Sequence, residues 1–285
     1  MFDRLATRVL LALAAGAALA AAEPLHSQTT WRTVSSARQR SGERSLNVKV
    51  EYGAGRLRVE PSAADLLYRF EMQYEADRVR PVTEYDRATG SLRLAMQERE
   101  GRSSSRMRGG HATVNLNADV PVDLNLEFGA GEADLDLGGL SLRRLRLATG
   151  ASDTRVSFAA PNRIDADLVR MQAGAAQFVA TGLGNTHAAR FEFEGGVGSA
   201  TLDFGGAWTR DASAKLEMGV GSLALRFPRG LGVRITKDSF LASFDHADMV
   251  KRGDAWYSRN WDSAAHRLTV DIDAAFGSIG VEFTD

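Results

Sequence analysis

Seven times along this 285-residue chain an alternating apolar pattern is broken at a Gly-x-Gly or a near relative and then resumes one residue out of phase. The copies are Val48–Val59 (VKVEYGAGRLRV), Leu124–Leu137 (LNLEFGAGEADLDL), Leu145–Phe158 (LRLATGASDTRVSF), Val169–Ala180 (VRMQAGAAQFVA), Phe191–Phe204 (FEFEGGVGSATLDF), Leu216–Phe227 (LEMGVGSLALRF) and Ile272–Phe283 (IDAAFGSIGVEF). The first corner position falls at residues 53, 129, 150, 174, 196, 219 and 275, a period of 21 to 24 residues through the middle of the chain. Repeats of this length read as stacked coils. Side chains of a strand alternate with period two, so Val48, Val50 and Tyr52 can share a face with Leu57 and Val59 only if one residue is absorbed between them. Glycine does this without a Cβ clash. The corner glycines are Gly53 and Gly55, Gly129 and Gly131, Gly150, Gly174, Gly196 and Gly198, Gly219 and Gly221, and Gly277, with Ser152, Ala176 and Ala275 as departures. The residue between them is Ala54, Ala130, Ala151, Ala175, Val197, Val220 or Phe276, always apolar, which predicts that it points into the core. The fold class that follows is all-β: a single-domain β-solenoid of coils of about 22 residues with hairpin-like excursions.

The pattern divides the chain. Residues 23–45 are a polar leader, and residues 46–285 are the solenoid domain. Within it, residues 46–120 hold the first coil and an excursion with strands predicted at Leu67–Tyr74, Leu92–Met96 and Val114–Val120. Residues 121–227 contain five regular coils, and residues 228–285 a second excursion, with a degenerate coil at Ile235–Phe244, before the closing coil. An end coil presents an open sheet edge, so the excursions are expected to cap the stack. The last repeat ends two residues before Asp285, which leaves it to the second excursion to cover it, and an uncovered end coil would favour a homodimer.

Residues 1–22 read as a signal peptide: Arg4 and Arg8, then a 14-residue apolar run from Val9 to Ala22 with small residues for cleavage. No later segment approaches membrane-spanning length, which predicts a soluble, periplasmic or secreted protein without stable membrane insertion. Composition is 44% hydrophobic and 25% charged, as in folded domains, and the net charge of −1 provides no overall field for nucleic acid. With no cysteine there is no disulfide, thiolate metal site or catalytic thiol.

Three features carry candidate chemistry. A column two residues before the first corner position reads Glu51, Glu127, Ala148, Gln172, Glu194, Glu217 and Asp273, with Lys49, Arg146, Arg170 and Lys215 among the residues two earlier. This reads first as a solvated charge ladder. The loop Glu98–Gly110 gathers Arg99, Arg102, Arg106 and Arg108, and Arg102, Arg106 and Arg108 are candidates for binding phosphate or carboxylate. Trp256, Tyr257 and Trp261 lie close together and either stack on a sugar or partner or cap the solenoid. The five histidines are scattered, and no nucleophile elbow or phosphate loop occurs, so no catalytic residue, metal or cofactor is assigned.

The segments EYGAGRLRVEP and LNLEFGAGEADLDLGGL, the stretch LLYRFEMQYEADRVRPVTEYD, and the ending VRITKDSFLASF…GDAWYSRNWDSAAHRLTVDIDAAFGSIGVEF resemble the toast-rack β-solenoid family of bacterial envelope proteins. That family includes adhesin-type domains and the C-terminal domain of the LiaF-type cell-wall-antibiotic response regulator. The resemblance implies an envelope-associated scaffold without catalysis. Together with the predicted signal peptide and the long regular surface, the expectation is an exported, non-enzymatic binding scaffold, linked to adhesion or to envelope stress, whose partner is another envelope protein or a surface glycan. The alternative is a β-helix carbohydrate-active enzyme using the exposed carboxylates.

Overall fold

A computed structural model describes residues 30–62, 65–99, 109–246 and 248–285, which form strands almost throughout. They make one 15-stranded sheet. Eight long strands of 14 to 18 residues carry the repeat: β2 (Leu46–Ser62), β7 (Val122–Asp136), β8 (Leu142–Ser157), β9 (Leu168–Thr181), β10 (Arg190–Asp203), β11 (Ala212–Pro228), β12 (Gly232–Asp245) and β15 (Arg267–Thr284). They pair in parallel in the order β2-β7-β8-β9-β10-β11-β15-β12. Eight levels at ~4.8 Å make a stack about 34 Å tall.

Each long strand has two arms that meet at the glycine corner, and both face one core. In β7 the inward residues are Leu124, Leu126 and Phe128 before the corner, and Ala133 and Leu135 after it. The side chains that close each coil, such as Leu140, Phe158, Leu183 and Phe204, belong to the same buried cluster. Aromatic rings bridge levels inside it: Phe178 and Phe193 lie 5.4 Å apart, and Phe204 and Phe227 stack at 5.2 Å. The return segments need partners for their backbone groups, and asparagines supply them. Buried Asn162 accepts from the Leu142 amide and donates to the Leu142 carbonyl, both at 2.7 Å, while Asn185 donates to the Phe158 carbonyl at 2.7 Å.

The corner is a backbone-on-backbone contact. At the second glycine position Gly131 has φ +118° and Gly221 φ +140°, and a Cβ on Gly221 would sit 1.8 Å from the Gly198 carbonyl oxygen one level down. At the first position φ is unexceptional, yet a Cβ on Gly129 would meet the Gly53 oxygen at 2.1 Å. Ser152 and Ala176 occupy the second position without positive φ. Between their two strands the ladder is interrupted, running from Thr149↔Ala173 directly to Asp153↔Gln177.

The two ends are built differently. At the first, β5 (Ser91–Glu98) pairs in parallel with the first arm of β2, and β6 (Gly110–Asn117) with the second, so together they form the arms of a further coil. β4 (Val79–Asp86) is antiparallel to β5, β3 (Leu66–Glu75) to β6, and β1 (Trp31–Gln39) to β3. At the other end the expectation of a terminal closing coil is corrected. β15 lies between β11 and β12, and the end coil is β12, partly covered by the hairpin of β13 (Met249–Arg252) and β14 (Ala255–Ser258). The physical reason lies in the two sequences. β15 has a corner glycine and apolar inward residues from Leu268 to Val281, so it can be covered on both sides. β12 has no corner glycine and places Lys237 opposite the buried Ile272, which suits an end position.

The corner contact predicts that Gly221→Val destabilises by about 3 kcal/mol or more, whereas Gly253→Ala, at φ +62° in open space, costs about 1 kcal/mol. Similar shifts of the two melting curves would contradict it. A second expectation concerns Asp123, whose carboxylate takes two hydrogen bonds from Arg143, at 2.9 and 2.8 Å. The Arg143 bonds hold its carboxyl below the ordinary value, so its stabilisation is present above the unfolded-state pKa, near 4, and is lost as pH falls through the lower folded value. Asp123→Asn should lower stability by about 1 kcal/mol at pH 7, with the difference closing as the pH falls below the unfolded-state value of about 4, as read from denaturation across pH.

Candidate functional site

The outer side of the corner is where the coils present the same strand positions level upon level. Counting outward from the core-facing residues, each coil offers a polar position, then the first glycine, then the apex residue, the second glycine, and a further outward position. The apex residues do not point into the core as their apolar character predicts. Tyr52 and Leu57 already occupy the inner angle, and at the apex of a bend around the core the Cβ points away from it. Val197 is 58% exposed, Val220 48%, Phe276 46% and Leu241, the apex of β12, 65%. They stand in register as Val197↔Val220, Val220↔Phe276 and Phe276↔Leu241, and the line continues to Ala175 and, beyond the interrupted ladder between β8 and β9, to Ala151, Ala130 and Ala54.

Beside this ridge the side-chain-free first glycines leave a shallow groove of about 610 Å³. Its floor includes Gly174, Gly196, Gly219 and Ala275, and its far wall Gln172, Glu194, Glu217 and Asp273. The wall is the charge ladder. Lys49 bridges Glu51 at 2.8 Å and Glu127 at 3.4 Å, Arg93 adds a bond to Glu51 at 2.7 Å, and Lys215 bridges Glu217 at 2.5 Å. The Glu51 carboxyl is held below its ordinary value chiefly by the Lys49 hydrogen bond, and the Lys49 ammonium correspondingly above its own. Glu194 takes a hydrogen bond from Gln172 at 2.6 Å. Among the described residues no group of three or more His, Asp or Glu side chains is placed to hold a metal ion.

A sequence profile described as the N-terminal domain of toast_rack, DUF2154, matches residues 25–179, more than half of the chain. The chain belongs to the toast-rack family. No curated protein matches it in sequence. Among solved structures, a "putative cell adhesion protein" from Clostridium sporogenes is 15% identical with a TM-score of 0.46, over 90% of this toast-rack chain and 100% of its own. A "putative adhesin" from Bacteroides fragilis is 9% identical with a TM-score of 0.33, over 88% and 97%. A "putative lipid binding protein" from Parabacteroides distasonis is 13% identical with a TM-score of 0.35, over 90% and 98%.

The candidate binding residues of this toast-rack chain fall in two places. Arg102, Arg106 and Arg108 lie outside the described residues, as does the predicted signal peptide. Trp256, Tyr257 and Trp261 are brought to the end coil, where β14 pairs with Arg234–Thr236 of β12. There they separate. Trp256 lies opposite the buried Ile235, on the core side, and meets Phe244 edge-on at 5.0 Å. Tyr257, opposite Arg234, faces outward and meets Trp261 edge-on at 5.4 Å. Guanidinium groups crowd this outer pair: Arg252 is 5.3 Å from the Tyr257 ring centre, Arg267 is 5.8 Å from that of Trp261, and Arg234 donates to the Tyr257 hydroxyl at 3.2 Å. The arginines escape sequence reading because they come from β12, β13 and β15. The apex position was legible as a repeat of apolar residues, but its exposure was not.

The split between the aromatic residues predicts different costs of truncation. Trp256→Ala opens the end of the core and should destabilise by about 2 to 3 kcal/mol, whereas Tyr257→Ala should cost about 1 kcal/mol or less. Thermal unfolding of the two variants checks this.

Proposed function

We propose that the chain is an exported, non-enzymatic, adhesin-like scaffold of the cell envelope, and that it holds an anionic surface glycan on the outer side of its end coil. The observation that carries this reading is the patch of Tyr257 and Trp261 with Arg234, Arg252 and Arg267 around them. Aromatic faces stack on sugar rings, and guanidinium forks bind carboxylate or phosphate with two hydrogen bonds. A parallel stack whose levels are locked at their corners supplies a rigid base for such a patch. The family resemblance, with its envelope proteins and adhesin-type domains, supports the location, and a role in envelope stress belongs to the same reading. In the carboxylate ladder, the basis of the enzyme alternative, Glu51, Glu127, Glu194 and Glu217 are engaged with Lys49, Arg93, Gln172 and Lys215.

The test is co-sedimentation of the protein with purified anionic envelope polysaccharide, with reducing ends assayed in the same tubes. The expected result is saturable, salt-sensitive binding that falls about tenfold or more in the pair Tyr257→Ala and Arg252→Ala, with no reducing ends released. Undiminished binding by the variant would remove the patch from the reading, and release of reducing ends would replace a scaffold with an enzyme. Export is tested separately by fusing residues 1–30 to a phosphatase that is active only outside the cytoplasm, and an inactive fusion would contradict it.

A further inference from the structure

Four large apolar side chains, Val197, Val220, Phe276 and Leu241, form a continuous exposed line over consecutive levels, beside a groove with a glycine floor. Exposed apolar lines of this kind mark contact surfaces. What covers this one can be read from the columns on either side of it. Two residues before the first corner position stand Glu194, Glu217, Asp273 and, in β12, Asp238. Three residues after it stand Ser199, Ser222, Ser278 and Ser243, all exposed and in register.

We infer that this corner binds a second copy of the chain, side by side and with both stacks pointing the same way. A two-fold axis parallel to the stack keeps every coil at its own level and reverses the order of the columns. With the axis between the floor and the apex, each apex residue lies over the floor position of the partner copy. Val220 then enters the groove at Gly219, and Val197 enters it at Gly196. The carboxylate and serine columns lie equally far from that axis, two and a half residues to either side. The same operation therefore sets Glu194 against Ser199, Glu217 against Ser222 and Asp273 against Ser278, each a hydroxyl donor facing a carboxylate acceptor. At the next level it sets Gln172 against Gln177, which can exchange amide hydrogen bonds. In β7 it would oppose Glu127 to Glu132, and in β12 the floor position is Phe240 in place of a small residue, so the match is confined to the four levels β9, β10, β11 and β15, about 14 Å of the stack. An isologous contact must be complementary to itself, and this half of the corner is. The edge of β12 is a poorer site for self-pairing, because Lys237 stands at an inward position there, a common guard against edge-to-edge contact.

The contact is smaller than a standard interface, so the dimer should be weak and depend on concentration, with a dissociation constant of about 10 µM to 1 mM. The inference stands on the corner geometry and does not rest on the proposed glycan patch.

The test is sedimentation velocity of the chain, expressed with its own leader, over a range of concentrations. The expected result is a monomer–dimer equilibrium that weakens more than tenfold in the double variant Val220→Ser and Phe276→Ser, with melting little changed because both side chains are exposed. The chain has no cysteine, so a short thiol-specific cross-linker can read the register. Glu217→Cys mixed with Ser222→Cys should cross-link, and neither variant alone should do so. A monomer at every concentration, a dimer indifferent to the double variant, or Glu217→Cys cross-linking to itself in place of the mixed pair would each overturn the inference.

Discussion

The rest of this structure depends on the contact of one corner backbone with the next. At the bend the chain comes so close to the level below that a Cβ on Gly129, Gly131 or Gly221 would lie within about 2 Å of a carbonyl oxygen. Only glycine fits, and the close fit holds each coil directly above its neighbour. Once the corner is set, the two arms cannot slide, because a shift by one residue would turn the inward Leu124, Leu126 and Phe128 out to solvent. The departures at Ser152 and Ala176 show the same constraint from the other side: between β8 and β9, where both strands lack the second glycine, the ladder opens for three residues and resumes in the same register, whereas each departure still pairs with the glycine of its other neighbour.

Exact stacking has a consequence for the surface. Equivalent outward positions become columns at ~4.8 Å spacing, so any residue type repeated in sequence becomes a line in space. Repeated acids along such a line would repel, and the chain answers with Lys49, Arg93 and Lys215 reaching across or along the strands. The larger apolar apex residues stand exposed on such a line. They grow larger toward β12, and this half of the corner also carries the serines and the groove.

The ends show how a repeat is terminated. The first end is closed by a coil made of β5 and β6 and by the antiparallel strands laid against it. The second is closed by inserting the better-formed β15 inside the stack and leaving the weaker β12 outside, with Trp256 across the core and Lys237 turned inward. An irregular coil costs least where only one of its faces must match a neighbour.

The coils, their period, the corner glycines and the inward residues were all readable in the sequence, because a period-two alternation with a phase slip at glycine has one simple structural solution. Three strands of the first excursion, β3, β5 and β6, and the irregular coil at Ile235–Phe244 were legible from the same alternation, whereas β4 was not. The direction of the apex side chains was not, since an apolar residue between glycines can point either way until the bend around the core is known. Nor was the place of β15, because the chain order of the last two coils is the reverse of their order in space, and local pattern carries no information about which neighbour a parallel strand chooses. The end patch likewise exists only in three dimensions: Tyr257 and Trp261 come from one short segment, but Arg234, Arg252 and Arg267 reach them through β12, β13 and β15. Sequence alone determined what each coil is, through backbone sterics and alternation, whereas tertiary structure decided how the coils are ordered and which columns face outward, because both depend on contacts between residues far apart in the chain.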